Sequence, residues 1–354
     1  MNSNYIPIGE LVERVDERNT DGNITTLVGL SIDKCFIKSV ANTVGTDLTK
    51  YKLIKKQQFA VSLMQVSRDA KIPVAMQSEY DVAIMSPAYP IFKVKDEKVI
   101  LPEYLDMWFK RSEFDREAAF IAVGGVRGSM PWEEFCGMKV LVPTIEKQHK
   151  VVNAYKTITN RIALKQRLND NLDAIAYAIY KETFITLSNE KWNKGTLSNL
   201  LTVKYGKDHK HLLNGSIPLY GSGGIMRYVE KSLYDKVSVL IPRKGTLSNV
   251  IYVDEPFWSV DTMFYTEIPK PYAAKFIYYF VKNKDLAGMD TGSAVPSMSS
   301  EIIHSMPLDI PDDETLINFD NRLKPLYAQM KANNQECAKL QNLQEILLAT
   351  ISSG

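Results

Sequence analysis

The chain has 354 residues, 45% of them hydrophobic and 24% charged, the composition of a globular protein long enough for two or three domains with their own cores. No run approaches the ~18 uninterrupted apolar residues of a membrane span, and Met1 to Glu10 has no basic segment leading into an apolar run, so the expected compartment is the cytoplasm. Cys35, Cys136 and Cys337 are scattered without the short Cys/His spacings of a zinc site, which argues against a disulfide framework and a structural metal. The formal net charge of +2 is unevenly spread: residues 31–72 hold eight Lys/Arg and three Asp/Glu, and residues 191–245 hold ten and three. Local excesses of that size suit phosphates, although a solvated lysine-rich surface has the same composition.

Residues 1–142 mix short alternating runs with Gly, Asn and Asp turns and read as a first α/β domain. Residues 82–85 (VAIM) and 90–94 (PIFKV) have strand character, and 103–117 reads as one amphipathic helix carrying Leu105, Trp108 and Phe109. The stretch 123–132 (VGGVRGSMPW) is too rich in glycine for a regular element and forms a loop. A helix of about 40 residues is expected next, over 143–187. Thr144 suits its N-cap, and Val151, Tyr155, Ile158, Ile162, Leu172, Ala176 and Ile179 follow at heptad spacing. Residues 188–307 form a second α/β domain, and 308–354 a second long helix. Asp312 suits that helix's N-cap, and Phe319, Leu323, Leu326, Met330, Leu340, Gln344 and Leu347 form its seam.

The second helix repeats the first at a constant offset of 168. Both seams turn polar at the same place, at Lys165 and Asn169 in one and Asn333 and Cys337 in the other, a device that fixes register. Residues 143–189 carry seven Lys/Arg against four Asp/Glu, and 308–354 four against seven, so the two helices are expected to pair with each other, antiparallel. Two unrelated amphipathic helices are the alternative. The domains repeat as well: Tyr272 and Phe276 answer Tyr104 and Trp108 at offset 168, and Gly195 and Leu197 answer Gly9 and Leu11 at offset 186, leaving 18 extra residues in the first copy.

This duplication, together with 217–225 (IPLYGSGGI), 240–246 (LIPRKGT), Asn249-Val250 and 256–262 (PFWSVDT), resembles the specificity subunit of type I restriction-modification systems over essentially the whole chain. The family's Pro-x-x-x-x-Gln start of the central helix stands as Pro143 to Gln148; in the second copy Leu316 occupies the Gln position after Pro311. The resemblance implies an α+β fold with two target recognition domains, separated by two long antiparallel coiled-coil helices in a pseudo-two-fold arrangement. It also implies a non-enzymatic subunit that reads a bipartite sequence in double-stranded DNA and docks two methyltransferase subunits, with restriction subunits as further partners. S-adenosylmethionine, ATP and Mg2+ would then belong to the partner subunits, with no cofactor in this chain.

Taken as residues, the candidate DNA contacts are Arg243 and Lys244, at the end of an apolar run. Arg243 has the donor fork for guanine O6 and N7, and Lys244 suits a phosphate. Gly221 and Gly223 permit close approach of a backbone to phosphate, or simply a tight hairpin. Arg127 between glycines, Lys55, Lys56 and Arg68 are the corresponding candidates in the first domain, and Lys207 and Lys210 complete the set. Trp258 and Asp261 read as a core anchor and a turn. There is no Asn-Pro-Pro-Tyr-like tetrad for amino methylation and no Walker loop. Asp81 with Asp96-Glu97-Lys98 resembles a two-metal nuclease site only superficially, a charged hairpin turn being the simpler reading. A coiled-coil scaffold that joins proteins without touching DNA is the rival reading.

Overall fold

Heptad spacing becomes helix wherever the seam can be covered, and both expected seams are. The computed structural model describes residues 4–39, 45–64, 66–123, 128–186, 192–289 and 297–351. The chain divides into two compact units, residues 1–165 with 335–354 and residues 166–334. The long helices are Ile145–Lys181 and Asp313–Thr350, so each gives one part to each unit. Asp312 caps the second helix, accepting from Thr315 N at 2.8 Å, while Thr144 does so more weakly for the first, from Lys147 N at 3.4 Å. Every expected seam position from Val151 to Ile179 and from Phe319 to Leu347 is buried or half-buried.

In the first unit the two helical segments run antiparallel. Arg161 and Lys165 meet Glu336 at 2.5 and 2.8 Å, and Gln344 donates to Thr159 at 2.7 Å. The second unit has the same sense, with Glu182 on Arg322 at 3.2 Å. There the polar seam residues find one another. Asn333, fully buried, donates to Asn169 at 2.8 Å and accepts from Gln329 at 3.0 Å, while Asn169 donates to Asn334 at 2.7 Å. An amide layer built around one buried, hydrogen-bonded asparagine favours one register and penalises slippage.

The first unit is built on an antiparallel sheet in the order Val12–Val15, Ile91–Val94, Phe59–Val61, Val74–Met76. Val82–Met85 pairs separately with Lys52–Lys55. Phe59 stacks on Phe92 at 5.2 Å, and Phe109 and Phe135 close the core around them. The single helix expected over 103–117 is two, Pro102–Phe109 and Ser112–Ile121. Arg111 leaves the helical region with ψ 140 and lays its guanidinium over Trp108 at 4.1 Å, so a buried stacking contact breaks a helix that periodicity alone would continue.

The second unit has a four-stranded sheet, Thr202–Tyr205, Met263–Glu267, Ser238–Pro242, Ile251–Val253. Beside it lies a three-stranded sheet, Gly224–Val229, Asn214–Gly221, Trp258–Ser259, whose last pair is parallel. Its core joins Ala176 and Tyr180 of the first long helix, Phe276 and Tyr279 of Ala274–Lys282, and Phe319 and Leu323 of the second long helix.

The duplication reappears in hydrogen bonding. Tyr5–Pro7 pairs antiparallel with Lys139–Leu141, as Asn193–Thr196 does with Pro307–Ile310. Ile8 N donates to Met138 O at 2.8 Å and Leu197 N to Met306 O at 3.0 Å. This corrects the expected offset of 186 at the start of the units. The bonded equivalents are Ile8 and Leu197, both fully buried and 189 apart, so Gly9 and Gly195 are not equivalent. One junction does differ between the copies. Gln148, fully buried, accepts from Leu101 N and donates to Val99 O and Pro143 O, all at 2.9 Å. Adding 168 to Leu101 gives Pro269, which has no N–H to offer, and Leu316 at the Gln148 position asks for none.

Candidate nucleic-acid interface

Five backbone hydrogen bonds make 259–263 the hub of a loop cluster in the second unit. Gly206 N donates to Met263 O, Lys207 N to Ser259 O, and Arg243 N and Lys244 N to Thr262 O, while Val260 N donates to Tyr220 O, at 2.8 to 3.2 Å. The local sequence explains why the chain holds there. Phe257 and Trp258 are buried, and Trp258 Nε1 donates to Lys207 O at 3.1 Å. Gly206 crosses so close that a Cβ would stand 2.0 Å from Val260 O. Gly245, at φ +83, lets its turn rest against Ser222 at the tip of the hairpin 214–229, and Asn249 donates to Ser222 O at 2.9 Å.

The expected residues Lys207, Gly221, Gly223, Arg243 and Lys244 are thereby gathered on strand ends and turns around one segment. Lys210 lies farther along the exposed loop that follows Lys207. Arg243 is half-buried. Its guanidinium lies 5.4 Å over the Tyr205 ring and donates to Asp261 O at 3.2 Å, which holds it in one direction and uses one of its donors. Lys244 and Lys207 are exposed, and among the described residues no ion pair is recorded for either. Gly221 has a packing role: a Cβ there would meet the Met226 sulfur at 2.6 Å. Gly223 sits at the exposed tip with open space around it. Burial pushes the Tyr220 hydroxyl up to about 12. Among the described residues, the buried Ser259 Oγ and His209 Nδ1 have no hydrogen-bond partner. Trp258 is the core anchor expected, and Asp261 lies in the expected turn, closed by Met263 N on Val260 O at 2.9 Å, with its carbonyl turned to Arg243.

A family model described as the type I restriction modification DNA specificity domain matches residues 189–342, which contain the whole cluster. Over that stretch, 154 of the 354 residues, the sequence resembles the type I restriction-modification specificity family. The S subunit of a type I restriction-modification system from M. genitalium shares the fold, with TM-score 0.57 at 14% identity over 98% of this chain and 95% of that one. Lower scores, 0.45 at 12% identity and 0.35 at 13%, relate it to a structure describing complex assembly and conformational transition of the type I R-M system and to the HsdS subunit from Thermoanaerobacter tengcongensis; both cover 98% of this chain, and 96% and 95% of their own. No curated protein sequence matches.

The first unit offers a less concentrated set. Lys55 is tied to Glu17 at 2.7 Å and Arg68 to Asp69 at 2.8 Å, so both charges are locally compensated. Lys56 is exposed on the turn after Lys52–Lys55, where Gln57 takes φ +66. Arg127 lies outside the described residues. Gly128 beyond it, at φ +72, packs against Ser67 and the Arg68 backbone, bringing the end of the glycine-rich stretch to the helix Val66–Asp69. Asp96 accepts from Lys98 N at 2.8 Å, and its carbonyl accepts from Val99 N and Ile100 N, which makes 96–100 a capped turn; it leads from the strand Ile91–Val94 into the helix Pro102–Phe109, so it is not the hairpin expected. Among the described residues no group of three or more His, Cys, Asp or Glu could hold a metal ion, and no helix is long and apolar enough to cross a membrane.

Sequence reasoning missed four residues of this region. Tyr205, Ile225, Met226 and Tyr228 are each about half exposed. Tyr205 carries Arg243, and the other three line the outer strand of the hairpin. The only signal in the sequence was an apolar-aromatic run beside a glycine turn, which reads equally as core.

Proposed function

We propose that the chain reads a bipartite DNA target, one half-site by each unit, and docks methyltransferase subunits on its long helices. The carrying observation is the cluster around 259–263. It collects Lys207, Arg243 and Lys244 on one braced surface inside a segment, 204–249, that holds eight Lys/Arg against three Asp/Glu. Phosphates supply affinity to such a surface and base edges supply sequence. In the first unit Lys56, Arg68 and Arg127 are assigned the same task, with Lys55 at the margin; in the second, Lys210 and the Gly221–Gly223 tip flank the cluster. The target recognition domains are 1–142 and 188–307, with 143–187 and 308–354 as the helices between them.

Methyltransferase docking is supported by apolar side chains on the outer faces of the helices. Leu164, Leu343 and Ile346 are exposed in the first unit, and Leu168, Ile175 and Ile317 in the second. One such set per unit fits two methyltransferase subunits per chain, with restriction subunits as further partners and the cytoplasm as the compartment.

Co-expression with a methyltransferase and titration of DNA binding between 50 and 200 mM salt tests the reading. Affinity should fall steeply with salt. Lys244→Ala should lower the salt slope by about 1 and weaken all sequences alike, whereas Arg243→Ala should cost ~1–3 kcal/mol and relax one half-site. Salt-insensitive binding without sequence preference would favour the protein scaffold instead.

A further inference from the structure

The hairpin 214–229 departs from the alternation expected of a covered strand. Its outer strand, Gly224–Val229, is the edge of the three-stranded sheet, yet Ile225, Met226 and Tyr228 are 51%, 57% and 51% exposed. Register passes from Ile225–Tyr220 to Arg227–Leu219, so Met226 is the extra residue of a β-bulge, a feature that bends a strand and re-aims its side chain. Arg227 faces the covered side. It pairs with buried Leu219, and its guanidinium donates to His209 O at 2.7 Å and Leu212 O at 3.1 Å. Tyr228, next in the strand, therefore faces outward. The hairpin is braced at its tip by Asn249 and at its base by Glu230 N on Leu213 O at 3.1 Å, so the apolar row is presented on a rigid element.

We infer that Met226 and Tyr228, with Ile225, are specificity-determining contacts of the second unit, meeting base edges in the major groove while Lys207 and Lys244 hold phosphates. The inference rests on the DNA recognition proposed above. A two-stranded ribbon fits a groove ~12 Å wide, and apolar side chains there distinguish thymine by its C5-methyl group. The occupant is argued from charge: the net +5 of 204–249 surrounds the row and complements a polyanion. An edge strand can also accept a peptide strand, and that is the competing outcome.

The test uses the complex assembled with methyltransferase. Met226→Ala and Tyr228→Ala change half-exposed positions. Each should reduce discrimination at one A·T pair of one half-site by about tenfold, a typical single-mismatch effect. Affinity for non-cognate DNA and reading of the other half-site should not change. Deoxyuridine in place of thymine at that pair should weaken the wild type similarly and add nothing further in the sensitive variant. Lys244→Ala, the control, should weaken cognate and non-cognate DNA together. Unchanged discrimination in both variants overturns the inference, as does lost methyltransferase assembly with discrimination intact, which would make the row a protein contact. If the wild type shows no sequence discrimination, the proposed function fails and this inference with it.

Discussion

Exchanging Gln148 for leucine tests whether the two copies solved one junction with different chemistry. The side chain is fully buried and makes three hydrogen bonds of 2.9 Å, to Leu101 N, Val99 O and Pro143 O. Leucine leaves all three groups without that partner. Stranding one buried donor costs ~1–3 kcal/mol, and the apolar gain of leucine offsets part of the total, so the net loss should be about 2–4 kcal/mol. The second copy supplies the complementary change, since Pro269 stands where Leu101 would. Leu101 has φ −73 and ψ 137, within proline's range, so Leu101→Pro should be tolerated by the backbone and should cost about 1 kcal/mol less in the Gln148→Leu background than alone. Urea unfolding of the four proteins of this cycle, with hydrogen exchange along Pro102–Phe109 to assign the loss to the first unit, measures both quantities. A single-variant loss below about 0.5 kcal/mol, or strict additivity, would refute the hydrogen-bond account of this junction.

Two further outcomes follow from the helices. Lys165, then Arg161, hold the Glu336 carboxyl below its ordinary value of 4.5, so their contribution is present above that value and lost as pH falls through the lowered one; Glu336→Gln should flatten the acid end of the stability profile, and an unchanged profile would remove the pair from the account. Because Asn169 meets Asn333, seven residues inserted after Asn169 with seven before Asn333 should preserve the amide layer and lengthen both helices by ~10 Å. Methylation mapping should then find a spacer longer by about three base pairs with both half-sites retained, and modification at the original spacing would show that the helices do not set it.

How much of the fold was legible follows from which contacts leave a periodic trace. Burial on one helix face imposes a period, and the seam from Val151 to Ile179 and its copy could be located residue by residue, including the polar interruption that became the Asn169–Asn333 layer. The strands at 82–85 and 91–94 were visible for the same reason. The break after Phe109 was not. Arg111 ends that helix by stacking on Trp108, an interaction that depends on where a guanidinium finds a ring rather than on propensity. The start of the second copy was misaligned because Gly9 and Gly195 are the same residue type in similar company, while equivalence lies in the amide hydrogen bonds of Ile8 and Leu197, which any residue but proline can make.

The interface divides along the same line. Cations beside glycines can be picked from the sequence, and Arg243, Lys244 and Lys207 do lie around one segment. What brings them together is the backbone of 259–263, whose carbonyl acceptors carry no side-chain signature. Spacing therefore could not separate Lys55, neutralised by Glu17, from Lys244, for which no ion pair is recorded among the described residues. Met226 is the sharper case. As a methionine in an apolar run it reads as core, and one extra residue in the ladder turns it outward over Gly221. Such a bulge depends on which partner each residue finds across the hairpin, so the residues most able to distinguish one base pair from another are the ones a linear reading assigns to the interior.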